Sequence, residues 1–305
     1  MQKKTMPSKK RLKSNRTYKS SVFISYFSET NQRLIDLYNA FSKVEYPADT
    51  PLEINTLDNV LFYDLLNDIS FVLDNMLIVL IEHQSTYNPN MPFRILQYIA
   101  EILKYRYKDP EPFYRSTLQK IEKIRCFVLY NGKEDRPEKS ILRLSNAYKE
   151  VNDDIGDPEL DIQLELVVPV YNINLGKNPE ILARSKALHE YSQFIAKVNE
   201  RLVADKNLTQ AIKVAIKYCR EHNIMAEYLK IHEAEVQNML MQEFTYLDIA
   251  EVNRKEGIEI GREEGIIKER YTIARNALIR GMPIADIADI TGLTRNEIEN
   301  LRNLN

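Results

Sequence analysis

The sequence predicts an α/β protein: a short mixed β-sheet flanked by helices, followed by an all-helical C-terminal extension. Three observations carry this reading. Two apolar runs, residues 69–73 and 77–81, flank Asp74-Asn75 as the arms of a β-hairpin flank its turn. A third run, residues 125–130, is β-branched, aromatic and nearly continuous, as a strand buried on both faces should be. From Asn178-Pro179-Glu180 to about Phe244 the apolar spacing is helical, and it becomes so again in the last segment from Tyr271.

Composition narrows the class. The 305 residues are 44% apolar, enough for one large core or two domains. The formal net charge is −2, so no global basic field announces nucleic acid, and any DNA contact must be local. Two cysteines, Cys126 and Cys219, exclude a disulfide scaffold and suit a reducing compartment. No run approaches the roughly 18 apolar residues of a membrane span, and the first residues lack the apolar stretch of a signal peptide. A soluble cytoplasmic protein with no membrane partner is expected.

Taken in order, residues 1–19 carry eight lysines and arginines and no acid, so they read as a disordered basic tail. Such an arm either meets phosphates or simply solubilises the chain. Residues 20–41 repeat apolar side chains at helical intervals with a break at Ser28-Glu29-Thr30-Asn31, predicting two short helices. A first strand is expected within residues 53–61, after the loop that Pro47 and Pro51 punctuate. Past the hairpin, Asn90 is placed to cap a helix with Pro92 in its first turn, running to about Tyr107. Arg94 and Tyr98 share a face of that helix. After the strand at 125–130, Asn131-Gly132 makes a turn. Residues 150–159 read as a loop, and residues 160–173 as a further strand, placed at the sheet edge because Pro169 removes a donor.

A long helix is expected from Asn178 to Leu202, then helices at 209–222, 225–232 and 235–244. Cys219, His222 and His232 make a poor zinc set, lacking a fourth ligand. Residues 248–270 are charged, with Gly257, Gly261 and Gly265 four apart. This is either a linker or a helix held by a partner, and a homodimer contact and a plain linker stay open. The end resembles a helix-turn-helix: Gly281 closes one helix, Pro283 opens the next, and Thr294 with Glu297 forms a capping box for a third. Arg295, Asn296 and Glu299 are the exposed candidates on that third helix for reading DNA. From Arg270 onward, however, five arginines face four acids, a weak electrostatic footprint.

The hairpin carries the chemistry. If residues 74–76 form a three-residue loop, Leu73 pairs with Leu77, and counting outward sets Asp68 opposite Glu82, with Cβ atoms roughly 4.5–5.5 Å apart. Gln84 shares the face of Glu82, whereas His83 points the other way. Two carboxylates directly opposite repel, so a cation between them is expected. A hard ion, Mg²⁺ or Mn²⁺, fits oxygen ligands from Asp68, Glu82 and the backbone carbonyl of His83, and it polarises a phosphodiester and activates water. The plainer alternative is that both acids mark strand ends at the solvent boundary. Asp58 and Asp64 are the nearby runners-up, and Glu29 or Asp36 is eligible as an acid lent by the first helices.

Asp68, the hairpin, Glu82-His83-Gln84-Ser85, then Asn90-Met91-Pro92, Arg94 and Tyr98 together resemble the Rpn (recombination-promoting nuclease)/putative transposase family of the PD-(D/E)xK nuclease superfamily. The likeness extends more loosely through Tyr130–Lys133 and residues 185–196. It implies a restriction-endonuclease-like core over residues 20–175. A helical extension over 176–247, the glycine-spaced linker helix at 248–270 and the helix-turn-helix-like segment at 271–305 complete the organisation. It also implies a Mg²⁺-dependent endonuclease that hydrolyses DNA in recombination or transposition of mobile elements. Asp68 and Glu82 would hold the metal and Gln84 would orient water. Arg94 would contact a phosphate or the scaffold, and Tyr98 would position neighbours. Gln84 stands where most of the superfamily has lysine, and glutamine brings hydrogen bonds but no charge. That departure keeps open a second reading: an inactive, nuclease-derived DNA-binding or oligomerising regulatory protein.

Overall fold

A computed structural model describes residues 21–54, 68–149, 161–205 and 207–302. The chain divides into two compact units, Met1–Gln242 and Glu243–Asn305. The basic tail, Asp58, Asp64 and the 150–159 loop lie outside the described residues, as does most of the strand expected at 53–61.

In the first unit the hairpin is β2 (Ile69–Leu73) and β3 (Leu77–Gln84), paired antiparallel with Leu73 opposite Leu77 and Ile69 opposite Ile81. Asp74 and Asn75 turn the chain in the left-handed region, at φ 53° and 51°. Short polar side chains tolerate that region best. A short β1 (Leu52–Ile54) lies antiparallel to β2 on the outside. On the other side β3 runs parallel to β4 (Lys123–Tyr130), with Leu77 beside Lys123 and Gln84 beside Tyr130. The described sheet has the order β1-β2-β3-β4-β6-β5, where β5 is Lys139–Arg143 and β6 is Val167–Asn172.

One expectation fails at β6. It is not an edge strand: it lies between β4, parallel, and β5, antiparallel. Pro169 is accommodated because the ladder to β4 opens only at Val170, and because the odd-numbered positions face β4, as the bond from Ile173 N to Tyr130 O (2.8 Å) shows. The missing donor thus falls one position ahead of the ladder. The true edge is β5, whose alternating exposed and half-buried residues, with only Leu142 buried, leave no continuous apolar run to read.

Helices cover both faces. On one, α3 (Met91–Arg106) sets Met91, Ile95, Tyr98 and Ile102 against Val72, Ile78, Leu80, Cys126, Val128 and Tyr130. Residue Asn90 precedes α3 but its side chain makes no capping bond; Asn88 Oδ1 instead accepts from the Asn90 amide at 2.9 Å. On the other face, α1 (Val22–Ser28) and α2 (Asn31–Phe41) bring aromatic rings to the sheet, Phe23 to His83 at 4.5 Å and Phe41 to Phe127 at 5.3 Å. Ser21 and Thr30 cap these two helices, accounting for the break between them.

The helix expected over 178–202 is two helices, α4 (Pro179–Arg184) and α5 (Lys186–Asp205). Ser185 interrupts the pattern: its hydroxyl accepts from the Leu188 amide at 3.0 Å and starts α5 anew. After α6 (Leu208–Glu221), the segments expected as separate helices at 225–232 and 235–244 run together in α7 (Ala226–Ile279), which bends where His232 leaves helical geometry at φ −110°, ψ 18°. The glycine-spaced stretch lies inside α7.

In the second unit, the end of α7 packs with α8 (Ile284–Thr291) and α9 (Arg295–Arg302) around Ala274, Ala277, Ile287, Leu293, Ile298 and Leu301. The capping box is present, with the Thr294 amide donating to Glu297 Oε2 at 2.8 Å and the Glu297 amide to Thr294 Oγ1 at 3.4 Å. Gly292 closes α8 at φ 68°, a left-handed position suited to glycine. Arg295 is paired with Glu299 at 2.9 Å, so two of the three candidate DNA-reading residues already engage each other.

Candidate active site: a buried carboxylate pair

The site forms where β2 begins and β3 ends, because the three-residue turn fixes the register that carries Asp68 to Glu82. The Asp68 amide donates to Glu82 Oε1 at 3.1 Å, and the His83 amide donates to Asp68 Oδ2 at 2.7 Å. Each acid therefore holds the backbone of the other's strand. Glu82 is only 3% exposed and Asp68 is half-buried, so the plainer reading of two acids at the solvent boundary does not fit Glu82. Burial pushes the Asp68 carboxyl up to about 6, against the opposing pull of the His83 amide and Arg94. Burial, then the neighbouring Asp68 charge, holds Glu82 well above the ordinary range, with Arg94 pulling back.

The helix α3 brings Arg94 and Tyr98 to this corner, as their four-residue spacing allows. Arg94 Nη2 lies 3.6 Å from Glu82 Oε2 and 2.8 Å from the Tyr98 hydroxyl oxygen; Nε donates to the same oxygen at 3.2 Å. Tyr98 is buried, and burial with the Glu82 charge raises its phenol to about 12. It is a neutral holder of Arg94. Burial works against the charged guanidinium, but Tyr98, Glu82 and Asp68 together keep it above its ordinary value.

Gln84 is buried on the Glu82 side of β3, and its amide group makes no hydrogen bond among the described residues. Its backbone carbonyl accepts from the Asn131 amide at 3.0 Å. His83, on the opposite face, stacks on Phe23 and has Nε2 3.1 Å from the Tyr191 hydroxyl. Burial lowers the imidazole to about 3, with Asn131 opposing, so the ring is neutral near pH 7. The side chain of His83 thus anchors the strand end. Gly132 completes the corner: a Cβ there would stand 2.1 Å from the Ser85 carbonyl oxygen. That close approach explains a glycine directly beside the end of β3.

The first-helix acids are occupied elsewhere. The Ser185 hydroxyl donates to Asp36 Oδ2 at 2.5 Å and the Ala187 amide to the same oxygen at 3.3 Å, and Glu29 pairs with Arg33 and His232. Sequence reasoning also missed Arg136, whose guanidinium lies 3.8 Å over the Tyr87 ring in the loops that follow β4 and β3, at the site end of the sheet. An isolated arginine in a mixed-charge loop carries no periodic signal.

The donor set is compatible with a metal. No three His, Cys, Asp or Glu side chains gather into a metal cluster among the described residues, so a nitrogen- or sulfur-rich zinc site is not formed there. The two carboxylates, with the His83 carbonyl expected from the sequence, would make an all-oxygen set of the kind Mg²⁺ and Mn²⁺ take, completed by water or phosphate. The second oxygen of Asp68, Oδ1, accepts no hydrogen bond among the described residues, which leaves it free to bind.

Fold and site together define an α/β protein with paired acids at the open end of an antiparallel hairpin, whose second strand continues the sheet in parallel. Residues 60–167 match the family described as putative transposase, YhgA-like, a segment containing β2 to β5 and the whole acid corner. This bears out the family resemblance read from the EHQS and N-x-M-P-x-R pattern. No curated protein and no solved structure gave a match. No helix among the described residues is long and apolar enough to cross a membrane.

Proposed function

We propose that the protein is a metal-dependent DNA endonuclease acting in transposition or recombination of mobile elements. The observation that carries this reading is the Asp68–Glu82 pair: a buried and a half-buried acid side by side, with one partly exposed arginine for compensation. For stability alone such a pair is unfavourable, and a site that must hold a cation and a phosphate explains it.

In this reading Asp68, Glu82 and the His83 carbonyl hold Mg²⁺ or Mn²⁺. When bound, the ion polarises the phosphodiester and favours ionisation of the attacking water. Gln84, whose side-chain amide has no hydrogen-bond partner among the described residues, orients that water but adds no charge to the transition state. Arg94 meets a phosphate oxygen, and Tyr98 holds Arg94 at the right height. The match of residues 60–167 to a putative transposase family supports the DNA setting.

Nicking of supercoiled plasmid tests this. Cleavage in Mg²⁺ or Mn²⁺ that EDTA abolishes, and that Asp68→Ala and Glu82→Ala each remove, is the expected result. Plasmid left intact, or cut equally by both variants, contradicts it and favours the non-cutting DNA-binding reading that Gln84 keeps open.

A further inference from the structure

The guanidinium of Arg94 is poorly used. Of its five N–H donors, those on Nε and Nη2 converge on one phenol oxygen of Tyr98, and Nη1 meets only the Met91 thioether at 3.3 Å, a weak acceptor. Its contact with Glu82 Oε2, at 3.6 Å, is too long for a hydrogen bond. The side chain is 40% exposed, whereas that of Glu82 is 4% exposed. A planar fork with spare donors, anchored at one edge and open to solvent, matches a phosphate far better than it matches the single carboxylate oxygen beside it.

Among the described residues, the acid pair has no other ion-pair partner. Arg94 is the positive group that acts on both Asp68 and Glu82. A positive charge that sits loosely against the ligands of a cation and a cation entering those ligands exclude one another electrostatically.

We propose that Arg94 is the resident counter-ion of the Asp68–Glu82 pair, displaced when a divalent ion binds, and that its freed guanidinium then grips a DNA phosphate. The inference rests on the metal-dependent reading above and deepens it: occupancy by the metal switches Arg94 from carboxylate to phosphate. Metal and DNA then bind with positive coupling, each tightening the other by the same factor. Tyr98 is the pivot, because its bond to Nε survives a swing of the outer nitrogens.

Mn²⁺ titration calorimetry on the full chain at pH 8, with wild type, Arg94→Gln, Arg94→Lys and Glu82→Gln, reads the first half. Removing the competing charge in Arg94→Gln should tighten Mn²⁺ binding by about tenfold, equivalent to ~1.4 kcal/mol. Arg94→Lys, which keeps the charge, should stay near wild type. Anisotropy of a fluorescein-labelled duplex, read within seconds of mixing and ahead of cleavage, reads the second half. Mn²⁺ should tighten duplex binding by wild type and do so far less for Arg94→Gln. Unchanged or weaker Mn²⁺ binding by Arg94→Gln, with binding by wild type lost in Glu82→Gln, overturns the counter-ion role alone. Absence of Mn²⁺ binding by wild type overturns both this role and the metal-dependent nuclease reading.

Discussion

Asp68 and Glu82 are tied together through backbone amides: the Asp68 amide donates to Glu82 Oε1 at 3.1 Å, and Asp68 Oδ2 accepts from the amide immediately after Glu82 at 2.7 Å. The hydrogen bonds hold the two acids in place, and their mutual repulsion in a buried corner works against the fold. Several consequences can be measured.

Neutralising one acid should stabilise the metal-free protein. Both carboxyls keep their protons to higher pH in the folded chain than in the unfolded chain. Their contribution therefore favours folding below the ordinary carboxylate range and is lost as pH rises through about 6 and beyond. Glu82→Gln preserves the acceptor for the Asp68 amide, so at pH 8 without metal it should unfold at higher denaturant, by roughly 1–3 kcal/mol. The gain should fade by about pH 4, where ordinary carboxylates protonate. A variant less stable than wild type at pH 8 would show that the pair is a net stabiliser.

The opposite pH dependence belongs to His83. Its imidazole is held near 3, below the unfolded value, so its contribution is present above about 6.5 and is lost as pH falls toward 3. His83→Phe keeps the stack on Phe23 and cannot protonate. It should reduce the loss of stability between pH 6 and 4 in equilibrium unfolding, while His83→Ala should cost roughly 3 kcal/mol at pH 8 through the cavity it leaves. Acid sensitivity unchanged in His83→Phe would mean that the ring is not a buried neutral group.

Gly132→Ala should disturb the site without touching a catalytic group. The added Cβ meets the Ser85 carbonyl oxygen at 2.1 Å and the Tyr130 ring at 2.6 Å, both packed at the end of β3 and β4. Overpacking of this kind costs about 1–3 kcal/mol. Urea unfolding should show that loss, together with reduced cleavage by the folded variant. Wild-type stability would mean that the backbone there shifts freely.

Much of the acid corner was legible because β-pairing is arithmetic: a turn of fixed length converts apolar runs into a register, and the register carries Asp68 to Glu82. The Arg94–Tyr98 face followed from helical spacing in the same way. What stayed hidden depends on partners distant in sequence. Nothing near Asp36 reveals that it bonds Ser185 and Ala187, at the start of a helix far along the chain. Nor does the apolar run around Pro169 reveal that β6 lies inside the sheet, since β5 on its outer side has too little apolar pattern to be recognised.

Asp36 accordingly should behave as a structural cap. Asp36→Ala should lower stability by roughly 1–2 kcal/mol, the range for losing a capping acceptor, while the folded fraction retains cleavage. A stable but inactive Asp36→Ala would return the residue to the list of catalytic acids.

Binding of a divalent ion by Asp68 and Glu82 is measured directly by Mn²⁺ titration followed by the electron paramagnetic resonance signal of the free ion. The prediction is one Mn²⁺ site per chain in the wild type that Mg²⁺ displaces and that both Asp68→Asn and Glu82→Gln abolish. Binding retained in both variants, or absent from the wild type at millimolar Mn²⁺, would contradict it.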